Sequence, residues 1–241
     1  MSLRTWAAWG VHLYTAIGAP LALIALLASG KGYFTLAFVC MTIATFIDST
    51  DGFLARRIGV KQVLPQFDGA RLDDIVDYLN YVVVPIVLAY QAGLIPSGLI
   101  GLLVASAPLI ASGYGFSQAE AKVETPQSGA TAPTNHYFTG FPSYWNIVVF
   151  YCYALHWNPW FNSLLLVVLS VGVFVPIRYL YPSRNTVARN LTYVLGIIWA
   201  LLMIVVLAQL PDPSQALVWV SLFFPAYYVG LSFALHFRRA D

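Results

Sequence analysis

Apolar runs of about 20 residues, long enough for a helix to cross a hydrocarbon core roughly 30 Å thick, recur from one end of this 241-residue chain to the other. A water-soluble core does not bury so many consecutive apolar side chains, and within lipid only helices or closed barrels satisfy their own backbone hydrogen bonds. With 59% of the residues hydrophobic and 9% charged, the expected fold class is an all-α polytopic membrane protein, a bundle of about eight transmembrane helices. The spans fall at 7–29, 33–54, 72–92, 96–115, 143–157, 160–181, 187–209 and 215–236, and the fifth is the weakest, being short and rich in Tyr, Trp and Asn. No apolar run stands alone near the N-terminus with a cleavage site behind it, so no removable leader is expected.

Charge sets the orientation. With both termini inside, Arg4, Arg56, Arg57, Lys61, Arg71, Lys122, Arg178, Arg184, Arg189, Arg238 and Arg239 lie on the cytoplasmic side and Lys31 alone lies outside, in line with the positive-inside rule. A multi-pass membrane protein is expected, its basic face meeting anionic membrane lipids. One transmembrane domain over 1–241 is expected, since no linker divides the chain and no internal repeat of broken helices suggests an inverted-repeat transporter. The polar segment 117–143 either lies over a site or joins two helices. Cys40 and Cys152 fall inside spans without metal-ligand spacing and read as small buried hydrophobes.

Against this apolar background, the stretch from Asp48 to Tyr78 holds six of the ten carboxylates. Asp48 and Asp51 stand at i, i+3 near the inner end of the second span, and Asp73 and Asp77 at i, i+4 at the start of the third, so each pair occupies one helix face. A short inner loop makes the two spans antiparallel neighbours, and their acidic faces can converge. Carboxylates gathered at a membrane border repel one another and are costly when ionised, so a cation must offset them. All-oxygen ligation suits a hard divalent ion, Mn²⁺ or Mg²⁺, and two such ions can grip a phosphate group. His and Cys are missing from the stretch, which argues against zinc. Gly52, Ala55 and Gly69 remove bulk beside the acids, and Arg56 can fork onto phosphate oxygens. The plainer alternative is surface pairing of the acids with Arg56, Arg57, Lys61 and Arg71, with the glycines serving helix packing.

Taken together, Asp48-x2-Asp51-Gly52-x2-Ala55-Arg56 followed by Gly69-x3-Asp73-x3-Asp77 resembles the signature of the CDP-alcohol phosphotransferase family at all of its positions. Twelve residues separate Arg56 from Gly69, an insert longer than most of the family carries and similar to the branch that uses choline. VHLYTAIGA (Val11–Ala19), GFPSYWN (Gly140–Asn146), PIRYLYPSR (Pro176–Arg184) and FPAYYVGLSF (Phe224–Phe233) are similar to stretches of that same branch. The resemblance implies a helical bundle of that family's type in a bacterial inner membrane, and relatives that commonly form homodimers leave the oligomeric state open. With both termini inside, the acid pairs at the inner ends of the second and third spans place the active site toward the cytoplasm. It also implies a reaction in which choline attacks the phosphorus of CDP-diacylglycerol, leaving phosphatidylcholine and CMP. By position, Asp48, Asp51 and Asp73 would ligate metal, Asp77 would border that metal and act as general base, and Gly52, Ala55, Arg56 and Gly69 would seat the cytidine diphosphate. No nucleic-acid partner is expected.

A quaternary ammonium has no N–H to donate and is held against aromatic faces. Tyr144 and Trp145 are the first candidates, then Tyr78 and Tyr81, with Tyr179 and Tyr181 behind them, although Tyr and Trp gather at membrane interfaces whatever the function. His12, His136, His156 and His236 are scattered, and Asp68 and Asp74 are expected to pair with Lys61 or Arg71 at the surface. Two other readings remain open from the residues. A relative could take serine, glycerol phosphate or inositol phosphate instead, with Arg71, Arg178, Arg184 and Arg189 available for a phosphate. A cation-coupled transporter could use the acids alone, but it gives no reason for Gly52, Ala55 and Arg56.

Overall fold

A computed structural model describes residues 2–118, 122–125, 135–180 and 188–237. Each expected span meets a helical segment. The first is α1 (Leu3–Ala16) continued almost in line by α2 (Gly18–Gly30), and the second is α3 (Phe34–Ile58). The third runs from Gly69 to Gln91 in three pieces: α5 (Gly69–Asp77), a π-helical turn at Tyr78–Val83, and α6 (Val84–Gln91). The short α4 (Val60–Val63) lies between α3 and α5. Then follow α7 (Gly98–Ser117), α8 (Trp145–Ala154), α9 (Pro159–Phe174), α10 (Arg189–Ala208), α11 (Gln215–Ser221) and α12 (Phe223–Phe237). Leu3–Gly30, Phe34–Ile58, Gly98–Ser117, Arg189–Ala208 and Gln215–Phe237 are long and apolar enough to cross a membrane, making this an integral membrane protein.

Two expected spans are shorter than anticipated. The 10 residues of α8 rise about 15 Å, half of a hydrocarbon core. The sixth span stops at Phe174 rather than 181, because Pro176 has no N–H with which to continue the helix. The chain turns extended there and forms β3 (Arg178–Leu180), which pairs antiparallel with β2 (Asn135–Thr139), itself paired with β1 (Lys122–Thr125). The fold is therefore helical with one small sheet added, and that sheet ties part of the 117–143 segment to the chain beyond α9. Tyr181 and Arg184 lie outside the described residues, as do Arg238 and Arg239.

Small side chains set the centre of the bundle. Ala22, Ala25 and Ala28 of α2 and Ala37, Cys40 and Met41 of α3 are all buried in one apolar cluster, which lets the two backbones approach closely as membrane helices do. Both cysteines are free and buried there, as read from the sequence. On the outside, α10 presents Leu191, Val194, Ile197, Leu201 and Ile204, an apolar surface that lipid covers at no cost. Gly59 closes α3 with φ +75°, a left-handed cap that lets the chain leave the helix just after Arg56 and Arg57. It turns back through α4 so that α5 starts beside the acidic end of α3.

Candidate active site

Two helix faces meet at one small cavity, lined by Asp48 and Asp51 from α3 and by Asp73, Asp77, Asn80 and Tyr81 from the third span, with Thr15 and Gly18 closing it from the first. Asp48, Asp73 and Asp77 each offer a carboxylate oxygen within 4.8 Å of the others. All three are half-buried, and Asp51 is buried. Asp73, Asp77, Asn80 and Tyr81 recur at i, i+4, i+7 and i+8, which is one stripe of a helix.

The acids are held by neighbours. The Tyr81 hydroxyl donates to Asp48 Oδ2 at 2.6 Å, and the Thr15 hydroxyl donates to Asp51 Oδ2 at 2.6 Å. Charge-assisted O–H···O bonds this short fix the rotamer of each carboxylate. Tyr14 and Thr50 share a further hydrogen bond at 2.9 Å that braces α1 on α3. On the far side, Asn146 Nδ2 donates to Thr45 Oγ1 at 3.2 Å, anchoring the start of α8 to α3 one turn before Asp48. The α5 N-terminus is capped by Asp68, whose Oδ1 accepts from the Arg71 N–H at 3.0 Å. Asp68 is thus a helix cap, a role the charge-pairing expectation did not include.

The remaining expected site residues divide into three groups. Gly52 faces the Arg56 guanidinium, with Nη1 3.3 Å from where a Cβ would sit, so that glycine gives the arginine room to fold back along α3. Ala55 packs on a small apolar cluster of Ala8, Val11, Val60 and Leu64. Gly69 faces inward onto His12, where a Cβ would lie 2.5 Å from Cε1. Its smallness therefore serves the contact of α5 with α1, whatever else it admits. Gly69→Ala is expected to cost about 1–3 kcal/mol through overpacking, read as a lower melting temperature in detergent, and His12→Ala in the same chain is expected to recover part of the loss. An undiminished melting temperature for Gly69→Ala contradicts this contact.

The aromatic candidates sit in different surroundings. Tyr81 is on the cavity wall through its bond to Asp48. Tyr78 donates to the Leu109 carbonyl at 2.9 Å and meets Phe116 edge-on at 5.8 Å. Tyr144 is half-buried and meets Tyr228 edge-on at 6.1 Å, and Tyr228 stacks on Tyr179 at 6.3 Å. Trp145, expected as a cage residue, is fully buried, flanked by Phe141 at 5.0 Å, and its indole N–H donates to Ser112 Oγ at 2.7 Å. The bundle encloses this ring on every side. Thr15, Gly18 and Asn80 were not singled out, because they meet partners far away in the chain; Thr15 and Gly18 did sit within the quoted segment VHLYTAIGA.

Residues 11–227 match the family model of CDP-alcohol phosphatidyltransferase. A protein of Legionella pneumophila named phosphatidylcholine synthase is 37% identical over 241 residues, covering 97% of this chain and 89% of the relative. Proteins of the same name from Pseudomonas aeruginosa and Bradyrhizobium diazoefficiens are 33% and 40% identical, covering 93% and 81% of this chain and 90% and 69% of their own lengths. The matched region takes in every residue that lines the acid cavity, and the chain belongs to the CDP-alcohol phosphatidyltransferase family.

Proposed function

We propose that this protein is a phosphatidylcholine synthase, transferring the phosphatidyl group of CDP-diacylglycerol to choline and releasing CMP. The observation that carries the reading is the meeting of Asp48, Asp73 and Asp77 within 4.8 Å, in a chain whose relatives bear that name over most of their length. A transporter or a structural subunit has no use for the phosphate-directed residues beside those acids.

The donor set fits a hard divalent cation. Three carboxylates this close repel one another unless a positive charge offsets them, and oxygen-only ligation favours Mg²⁺ or Mn²⁺ over zinc. Asp48, Asp51, Asp73 and Asp77 would hold it, with two ions as the proposed number. Such ions, when bound, neutralise phosphate charge and polarise the bond to be broken.

The chain's own residues do the rest. Arg56, folded over Gly52, provides a guanidinium fork for the diphosphate; Gly52 leaves that guanidinium its room, and Ala55 and Gly69 let the helices around the acids pack closely. Asp77 accepts the proton of the choline hydroxyl as the new O–P bond forms and the bond from phosphorus to the CMP oxygen breaks, CMP leaving with the electron pair. Tyr81 and Thr15 keep Asp48 and Asp51 from swinging away. Tyr81, Tyr78 and Tyr144 offer aromatic faces for the quaternary ammonium, with Trp145 behind them as packing. The site faces the cytoplasm of a bacterial inner membrane, where CMP and choline are soluble, and residues 1–241 form one transmembrane domain that pairs as a homodimer.

Purified protein given CDP-diacylglycerol and each radiolabelled alcohol in turn tests the acceptor. Labelled phosphatidylcholine is expected with choline, and a product from serine with none from choline contradicts the reading. Thr15→Val removes one hydrogen bond to a charged group, worth about 1.5–3 kcal/mol. It is expected to lower kcat by roughly ten- to a hundredfold, while an unchanged rate denies Thr15 its positioning role.

A further inference from the structure

Asn80 stands on the π-helical turn, one turn beyond Asp77, and is 4% exposed. Its Nδ2 donates to the Gly18 carbonyl at 3.0 Å and to the Val76 carbonyl at 3.0 Å. Both amide hydrogens are thereby committed, which fixes the orientation of the side chain and rules out the flipped amide. Gly18 makes this possible, because a Cβ there would run into Val76 and crowd the amide nitrogen.

The opposite end of the amide is different. Oδ1 is buried and has no hydrogen-bond partner among the described residues, although a buried carbonyl oxygen normally has one. Asn80 lines the same cavity as the four aspartates. Ionised carboxylates only accept, and the Tyr81 hydroxyl donates to Asp48. What Asn80 Oδ1 requires at this place is a donor or a positive charge.

We propose that Asn80 is a further member of the cation site, its Oδ1 supplying a neutral oxygen to the divalent ion or to a water in the ion's shell. Hard divalent ions accept amide carbonyls alongside carboxylates. The oxygen is presented by a side chain already clamped between two helices, so little freedom is lost when the ion arrives. Asn80 stands beside the four aspartates on the cavity wall and adds no charge to it. The inference rests on the divalent-cation reading of the acids.

The test is Mn²⁺ binding to the purified full chain without substrate, read from the electron paramagnetic resonance signal of unbound Mn²⁺. Asn80→Leu removes the oxygen and the two N–H donors, and is expected to weaken binding roughly tenfold or more. Asn80→Asp loses the same donors but keeps an oxygen, now charged, and is expected to bind Mn²⁺ at least as tightly as the unaltered protein. If the residue were only a clamp between helices, the two substitutions would act alike, so equal weakening in both, or no change in either, overturns the proposal. Should Asn80→Leu fail to fold, Asn80→Asp decides alone, and weaker binding in it overturns the proposal. Asp48→Asn is the control: undiminished Mn²⁺ binding there sinks the cation site itself, whereas failure confined to Asn80 leaves the acid site standing.

Discussion

Asp77→Asn is expected to lower turnover by about 10²–10⁴-fold, the range a positioned general base contributes, while sparing Mn²⁺ and CDP-diacylglycerol binding better than Asp48→Asn does. The substitution keeps the size and shape of the side chain but removes its capacity to take a proton. Two of the three convergent carboxylates, Asp48 and Asp73, remain to hold a cation, and Arg56 and Gly52 are untouched. An alcohol hydroxyl is a poor nucleophile near neutral pH, so loss of the base falls on kcat. Equilibrium Mn²⁺ titration beside single-turnover CMP release separates the two effects. Near-normal turnover in Asp77→Asn rejects the base, and a loss of Mn²⁺ binding equal to that of Asp48→Asn makes Asp77 a ligand only.

Asp48→Asn is expected to act on binding first, weakening Mn²⁺ affinity by more than about a hundredfold, beyond what loss of an outer-shell partner costs, and leaving no measurable CMP release. Asp48 is one of the three oxygens within 4.8 Å and is the acceptor of the Tyr81 hydroxyl at 2.6 Å. Removing its charge thus replaces an anionic oxygen by a neutral amide and weakens the bond from the phenol that orients it. Tyr81→Phe provides the smaller companion effect, since Asp48 keeps its charge and loses only its anchor. If Asp48→Asn binds Mn²⁺ as tightly as the unaltered protein, the acid cluster does not hold the ion.

The helices and the acid pairs were legible because their signals are local. Hydropathy over about 20 residues marks a span, and i, i+3 or i, i+4 spacing of Asp48, Asp51, Asp73 and Asp77 marks a face. The short loop between the second and third spans then left one way to bring the faces together. Thr15 and Tyr81 were opaque as positioning residues because each reaches an aspartate through tertiary contact, 36 and 33 residues away in sequence, and no local pattern encodes such a pair. The burial of Trp145 was not legible, because composition says that aromatics gather at interfaces but not which ring turns inward. The strand after α9 was hidden inside an apolar run whose end at Pro176 was the available signal. The orphaned Asn80 oxygen emerges only once both of its amide hydrogens have been traced to Gly18 and Val76.

The most direct test of shared divalent ions gripping a nucleotide's phosphates is CMP release from CDP-diacylglycerol by purified protein, with and without choline, after chelation and again after Mn²⁺ or Mg²⁺ is restored. Release is expected to require both the cation and choline, with one phosphatidylcholine formed for each CMP. CMP release that persists at full rate after chelation would contradict the site built from Asp48, Asp51, Asp73 and Asp77.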